Sequence, residues 1–423
     1  MSSAAPYTLA APLQPAPPVA SLRSILPLIL VAGLGYLVDV FDMLLFSIVR
    51  VPSLTSLGVT ADQVLPVGAH LLNLQLGGAL LGGIAWGMLG DKRGRLSVLF
   101  GSIILYSGAT LANGYVHSVE AFAWLRFLAG FGLAGELGAG LTLIVEVLPI
   151  ASRGTATAIV AGTGVMGAAL AAIAGEFIEW RGCFILGGSM GFVLLLLRLG
   201  VHESGMFTQV KQTKGERGNL WRLFDNKDRF LRWIRSVLIG VPIWFSVGIL
   251  VTFSPELARA FGITEHVLPG RMVLFHYVAT SFGDVASGLL SQRLRSRRKA
   301  AAIFITILVA ACAAYLLGVA HSAMGMYLLS GWMGIGTGYW AVTNTMAVEQ
   351  FGTDMRATVG TSVPNLIRGA AVPMTLGFIA FKPSLGTVGS AAAVGCVAFA
   401  LSAWALATQP ETYGKDLDYR ELG

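Results

Sequence analysis

Apolar stretches of about twenty residues recur along this chain, each closed by polar punctuation, and they leave little freedom in how it folds. A run of that length matches the hydrocarbon thickness of a bilayer when wound as an α-helix. Twelve such helices are predicted, at 24–49, 64–88, 95–115, 119–147, 154–178, 181–201, 231–256, 268–292, 299–319, 324–349, 357–381 and 386–408. Composition agrees: 55% of the 423 residues are hydrophobic and 12% are charged, about half the charged share of a soluble protein. The chain therefore reads as an all-α, polytopic membrane protein in contact with the lipid bilayer.

The net charge of +7 would suit a nucleic-acid binder, but the positions of the charges exclude that partner. Lys and Arg gather in alternate loops, in DKRGR (91–95), at Arg153, from Lys211 to Arg235 and in RLRSRRK (293–299). That alternation places these loops, and with an even number of helices both termini, in the cytoplasm. Arg50, Arg181, Arg259, Arg271 and Lys382 are exceptions in the opposite loops. Cys183, Cys312 and Cys396 lack paired spacing, so neither disulfides nor a metal site is expected.

The organisation is predicted as a disordered Pro/Ala-rich tail (1–22), a six-helix bundle (23–202), a basic linker (203–230), a second bundle (231–408) and a C-terminal tail (409–423). The apolar run that opens the first bundle is too long for a signal peptide and is kept as helix 1. The two bundles look like copies. Pro52 and Pro255, Glu146 and Glu349, and Arg153 and Arg356 are all separated by 203 residues. Duplicated bundles of this kind form two rigid bodies that can rock about a site between them.

A few ionisable residues stand where only apolar ones are inexpensive. Asp39 and Asp42 lie in GYLVDVFDMLLF in helix 1, and their i, i+3 spacing puts them on one helix face that should look away from lipid. Glu136 lies near mid-depth in helix 4 among Gly130, Gly132 and Gly135, which let helices approach closely. Those glycines, like Gly162, Gly164 and Gly167 in helix 5, match a dinucleotide fingerprint, but no strand precedes them, so no cofactor is expected. Helix 11 carries Arg368, with Asn365 three residues before it. The fork of Arg368 suits a carboxylate, either that of Glu136 or the Asp39/Asp42 pair, or that of a substrate. Asp284 in helix 8 lies toward the cytoplasmic end and is assigned to a gate, and His276 is read mainly as a packing residue. Gln75 in helix 2 is a candidate ligand, and Tyr36, Tyr277, Tyr339 and Trp340 are candidate walls for a planar substrate.

GMLGDKRGR (87–95) resembles the signature loop of the major facilitator superfamily of secondary transporters. EVLPIASRG (146–154), HES (202–204) and PETYGKDLDY (410–419) resemble further motifs of that superfamily. The resemblance spans nearly the whole chain and implies the fold of two pseudo-symmetric six-helix bundles. It implies a cytoplasmic gate of Gly87, Asp91, Arg95, Glu146 and Arg153, with Glu349 and Arg356 as second-half counterparts and Gln292 replacing the repeat's acid. It also implies proton coupling through Asp39, Asp42 or Glu136, since Glu136 resembles the acid of metabolite–proton symporters.

The resulting expectation is proton-coupled symport of a small organic anion, a monocarboxylate or aromatic acid, by a monomer in a bacterial inner membrane. A neutral sugar or polyol carrier and a drug–proton antiporter are the alternatives. Helix 5 lacks the proline expected of the latter. No nucleophile–base constellation points to an enzyme.

Overall fold

The computed structural model describes residues 22–93, 95–147, 150–203, 223–352 and 355–415. Among them every regular element is helical, and six helices are long and apolar enough to cross a membrane, Val64–Trp86 and Arg297–Leu316 among them. The first half holds α1 (Leu22–Ser56), α2 (Val64–Arg93), α3 (Arg95–Asn113), α4 (Val119–Val147), α5 (Ile150–Phe177) and α6 (Trp180–Glu203). The second holds α7 (Lys227–Phe245), α8 (Ser254–Ala260), α9 (Pro269–Leu294), α10 (Arg297–Leu316), α11 (Ala323–Thr337), α12 (Trp340–Glu349), α13 (Arg356–Gly369) and α14 (Ala371–Thr408). The predicted basic linker and both predicted tails fall largely outside the described residues.

The same packing pairs recur in both halves. The α2–α4, α3–α4 and α1–α6 contacts are matched by α9–α11, α10–α11 and α7–α14. Across the seam, α5 packs on α9, and α2 packs on α13 and α14. Leu81, Ile84, Ile104, Met166, Leu196, Phe282 and Val397 point outward, the arrangement required of helices whose solvent is hydrocarbon. Backbone contact draws α4 onto α2: a Cβ on Gly130 would collide with the carbonyl oxygen of Gln75.

Three of the predicted helices are broken, for reasons that lie in their tertiary surroundings or in proline. The seventh span runs through α7, a π-helical turn (Ser246–Val251) and α8, which restarts at Pro255. The tenth is split between α11 and α12 at Gly338, whose backbone lies against that of Gly283 on α9. The eleventh is interrupted at Ala370, because Pro373 has no N–H to offer the carbonyl of Gly369. Gly386, with φ +68°, then turns the chain into the twelfth span.

Twelve alternating crossings bring both ends of the described chain to one face, here called the terminal face. At the opposite, far face the halves are locked together. Arg50 at the end of α1 lies 2.8 Å from both carboxylate oxygens of Glu256 on α8. Thr252 donates to Ser47 at 3.2 Å, and Arg271 on α9 pairs with Glu176 on α5. Three of the exceptional cations of the far-face loops are thereby explained. Arg50 and Arg271 have carboxylate partners, and Arg181 donates to the carbonyls of Gly114 and Val116.

Candidate functional site

Asp39 and Arg368 meet across the seam. Nη2 of Arg368 on α13 donates to Oδ2 of Asp39 on α1 at 3.2 Å, and both side chains are buried. Oδ1 of Asp39 has no hydrogen-bond partner. Arg368 and Asn365 border a crevice whose other walls include Met43, Gln75, Ala79, Gly130 and Leu133. Gln75 is 2% exposed, yet neither atom of its amide is hydrogen-bonded. A buried amide left unpaired costs about 1–3 kcal/mol. Such a deficit beside a buried guanidinium marks a place that a polar ligand would complete.

Two tyrosines extend this centre. The Tyr36 hydroxyl lies in the electrostatic field of Arg368, Asp39 and Asp284, and the Tyr277 hydroxyl in that of Tyr36, Arg368 and Asp39. Tyr36 reaches this position because α5 carries Gly164 opposite it, where a Cβ would strike the ring. Trp340, the first residue of α12, is half-buried. Its neighbour Tyr339 is fully buried, and its hydroxyl is engaged by the carbonyl of Ile239 at 3.0 Å, which leaves no donor for a ligand.

Asp42 turns away from Asp39. Three residues along an α-helix separate side chains by about 60° around the axis, enough to send one acid to the seam and the other into the first bundle. There Asp42 accepts from Thr110 at 2.8 Å and from Nη2 of Arg126 at 3.3 Å to each oxygen. Arg126 is fully buried and lies over the Phe184 ring at 5.0 Å. The sequence signals Arg126 only as a lone Arg in the apolar run of helix 4, which by its cost there calls for a buried partner. Arg50 was seen only as an exception to charge sidedness.

Asp284 lies on α9 toward the end that meets the terminal face. Its Oδ1 accepts from the backbone N–H of Ala341 at 3.3 Å, at the start of α12. It also contributes to the field at Tyr36. His276 is buried and bonded to Thr337 at 3.3 Å. The side chains of Gly87, Asp91, Arg95, Glu136, Glu146, Arg153 and Arg356 lie outside the described residues.

At the terminal face Glu349 pairs with Arg297 at 3.1 Å and accepts from Thr412 at 2.7 Å. The tail PETYGK folds back there. Glu411 accepts from the Ser296 hydroxyl and from the backbone N–H groups of Arg297 and Tyr413, at 2.9 and 3.0 Å. Burial alone would raise its pKa, but the Ser296 hydroxyl and the Tyr413, Arg297 and Thr412 N–H groups outweigh burial and bring it down to about 2.

Two bundles thus meet at a seam that carries an ion pair at mid-span and is bonded at its far face. The chain belongs to the Major Facilitator Superfamily, whose sequence profile matches residues 32–372. It is 29% identical over 420 residues to a Haemophilus influenzae chain named for metabolite transport, covering 92% of this chain and 96% of that one. It is 28% identical over 381 residues to the 3-(3-hydroxy-phenyl)propionate transporter of Escherichia coli, covering 86% and 90%. A Cupriavidus pinatubonensis chain named for 4-methylmuconolactone transport is 25% identical over 398 residues, covering 90% and 89%. The inward open conformation of the xylose transporter XylE from E. coli superimposes with a TM-score of 0.70 at 17% identity, covering 93% of this chain and 98% of that one. This last likeness concerns the fold. The protein is a multi-pass membrane transporter, not an enzyme.

Proposed function

We propose that the protein carries a small organic anion, a monocarboxylate or aromatic acid, together with a proton. The observation that carries this reading is the Arg368–Asp39 pair across the seam beside the unpaired Gln75 amide. A substrate carboxylate would replace Asp39 on the guanidinium and satisfy the Gln75 N–H. Asp39 then has to lose its charge, because a buried carboxylate without a cation is costly. Protonation of Asp39 does this, which couples anion entry to proton entry. Asp42 with Arg126 forms a second ion pair, and together with Glu136 it offers a further place for the proton to reside. With its charges paired off, the loaded site can pass the membrane's mid-plane as the bundles rock.

Relatives named for hydroxyphenylpropionate and methylmuconolactone transport support an aromatic-acid cargo. The basic loops on the terminal face support a cytoplasmic position for both termini, as in a bacterial inner membrane. Domains at 23–202 and 231–408, acting as a monomer, are part of the same proposal. Gly87, Asp91, Arg95, Glu146 and Arg153, with Glu349 and Arg356, would close the terminal face.

Proteoliposomes containing the protein should acidify internally when phenylacetate is added outside, and a protonophore should abolish accumulation. Accumulation unaffected by the protonophore overturns the coupling. Arg368→Ala should weaken phenylacetate binding by about 10- to 100-fold, with the melting temperature confirming a folded protein. Near-normal affinity would return Arg368 to a purely structural role.

A further inference from the structure

The helix α9 presents three distinct stripes. His276, Gly283, Ser287 and Ser291 are buried, with Gly283 against the backbone of helix 10. Phe282, Val285 and Leu289 point outward, at 71%, 65% and 67% exposure. Tyr277, Ser281, Asp284 and Gly288 are half-buried between them, and Tyr277 places this third stripe at the Arg368–Asp39 centre. Asp284 therefore lies on the same stripe, about 10 Å along the axis from Tyr277 at 1.5 Å per residue. Tyr36 stands within the fields of both ends.

Asp284 is half-buried, and its carboxylate stays accessible with acceptor capacity to spare. An ionised carboxylate has about four acceptor sites, and here one long bond from Ala341 N–H is made. Among the described residues no Arg, Lys or His pairs with it. Bracing the break in helix 10 does not require it. Thr280 bonds Thr337 at 3.0 Å, Ser287 donates to the Gly338 carbonyl at 2.5 Å, and the Gly283 and Gly338 backbones already touch.

We propose that Asp284 is a specificity-determining residue that accepts a hydrogen bond from a donor on the far end of the substrate, opposite the carboxylate held by Arg368. The inference rests on the anion-carrier reading and sharpens its cargo to bifunctional aromatic acids. The carboxylate sits at the Arg368 end, a ring lies along Tyr36 and Tyr277, and a hydroxyl or ammonium group reaches Asp284. Such a ligand gives Asp284 a directed donor in place of solvent. An acid without a distal donor leaves the carboxylate as it stands and gains nothing from it.

Three probes test this with the full-length protein in nanodiscs: phenylacetate, 4-hydroxyphenylacetate and 4-(aminomethyl)phenylacetate. Binding is read by calorimetry for the native chain, Asp284→Ala and Asp284→Asn. In the native chain one or both donor-bearing probes should bind about tenfold or more tighter than phenylacetate, and which of them does so tells a hydroxyl from an ammonium recognition point. Asp284→Ala should reduce that preference to under about threefold while phenylacetate affinity stays within about threefold. Asp284→Asn keeps the acceptor for Ala341 N–H, and it should lose the ammonium preference even where the alanine variant is unstable. Equal loss for all three probes in both variants, or no preference in the native chain, overturns the proposal. Failure of all three carboxylates to bind while xylose binds would instead sink the anion-carrier reading itself.

Discussion

Replacing Glu256 by Gln should unlock the far face. Arg50 is completely buried, and its charge is matched by Glu256, whose side chain is 10% exposed and offers both oxygens at 2.8 Å. Removing one partner of a buried pair costs about 3–5 kcal/mol, because the other charge stays desolvated. Part of the hold survives, since Nη1 and Nη2 still reach the carbonyls of Val64 and Thr252 at 3.3 Å and the guanidinium still covers the Phe253 ring. The lower figure, about 3 kcal/mol, is therefore the relevant one. In the open state Arg50 meets water, so nearly all of this penalty falls on the closed state and shifts the balance toward opening by about a hundredfold.

A cysteine at Ser47 reports the change, because Ser47 lies in the seam against Thr252 and is 5% exposed. With the exposed Cys396 replaced by Ala, the rate of labelling by a membrane-impermeant maleimide should rise by up to two orders of magnitude in Glu256→Gln. A change of less than threefold would mean that Arg50–Glu256 does not hold the bundles together. Raising the salt concentration should matter little for so buried a pair, and a strongly salt-dependent rate would point to Arg271–Glu176 as the principal lock.

Arg126→Met should lower stability by about 3–5 kcal/mol by stranding Asp42, and adding Asp42→Leu should recover most of it; thermal melts of the two variants that agree would refute the pairing. Glu411 is held at about 2, so its contribution is complete above its ordinary range near 4.5 and lost as pH falls through the folded value. The melting-temperature gap between the native chain and Glu411→Gln should therefore be constant above about pH 5 and shrink on acidification toward about pH 2. A gap that widens on acidification contradicts the assignment. Gly130→Val should cost about 1–3 kcal/mol through collision with the Gln75 carbonyl, measurable as a lower melting temperature and impaired uptake; an unchanged melt would deny the close α2–α4 contact.

Much of the architecture was legible because a bilayer imposes its length on every span. The twelve runs, their polar ends and the 203-residue repeat depend on local composition, and the loop DKRGR carries its own signature. Broken spans were less visible. Gly338 interrupts helix 10 through contact with Gly283, 55 residues earlier in the chain, and no periodicity announces such a meeting. In the site, Arg368 and Asp39 could each be suspected from the cost of charge in hydrocarbon, but the choice of partner depends on which way each helix faces. Spacing suggested a shared face for Asp39 and Asp42, whereas about 60° of helical rotation sends them to different bundles. Tyr339 and Trp340 are adjacent in sequence, and only the local turn at Gly338 decides that one packs against Ile239 while the other stays half-buried.

Gly130 abuts the main chain of Gln75 and not its side chain. The joint between α2 and α4 is therefore indifferent to which residue stands at position 75, provided a glycine stays opposite. A lineage could exchange that amide for another group without loosening the packing of the two helices. Diversity of side chains on a constant frame is what such a division of labour between backbone and side chain would produce.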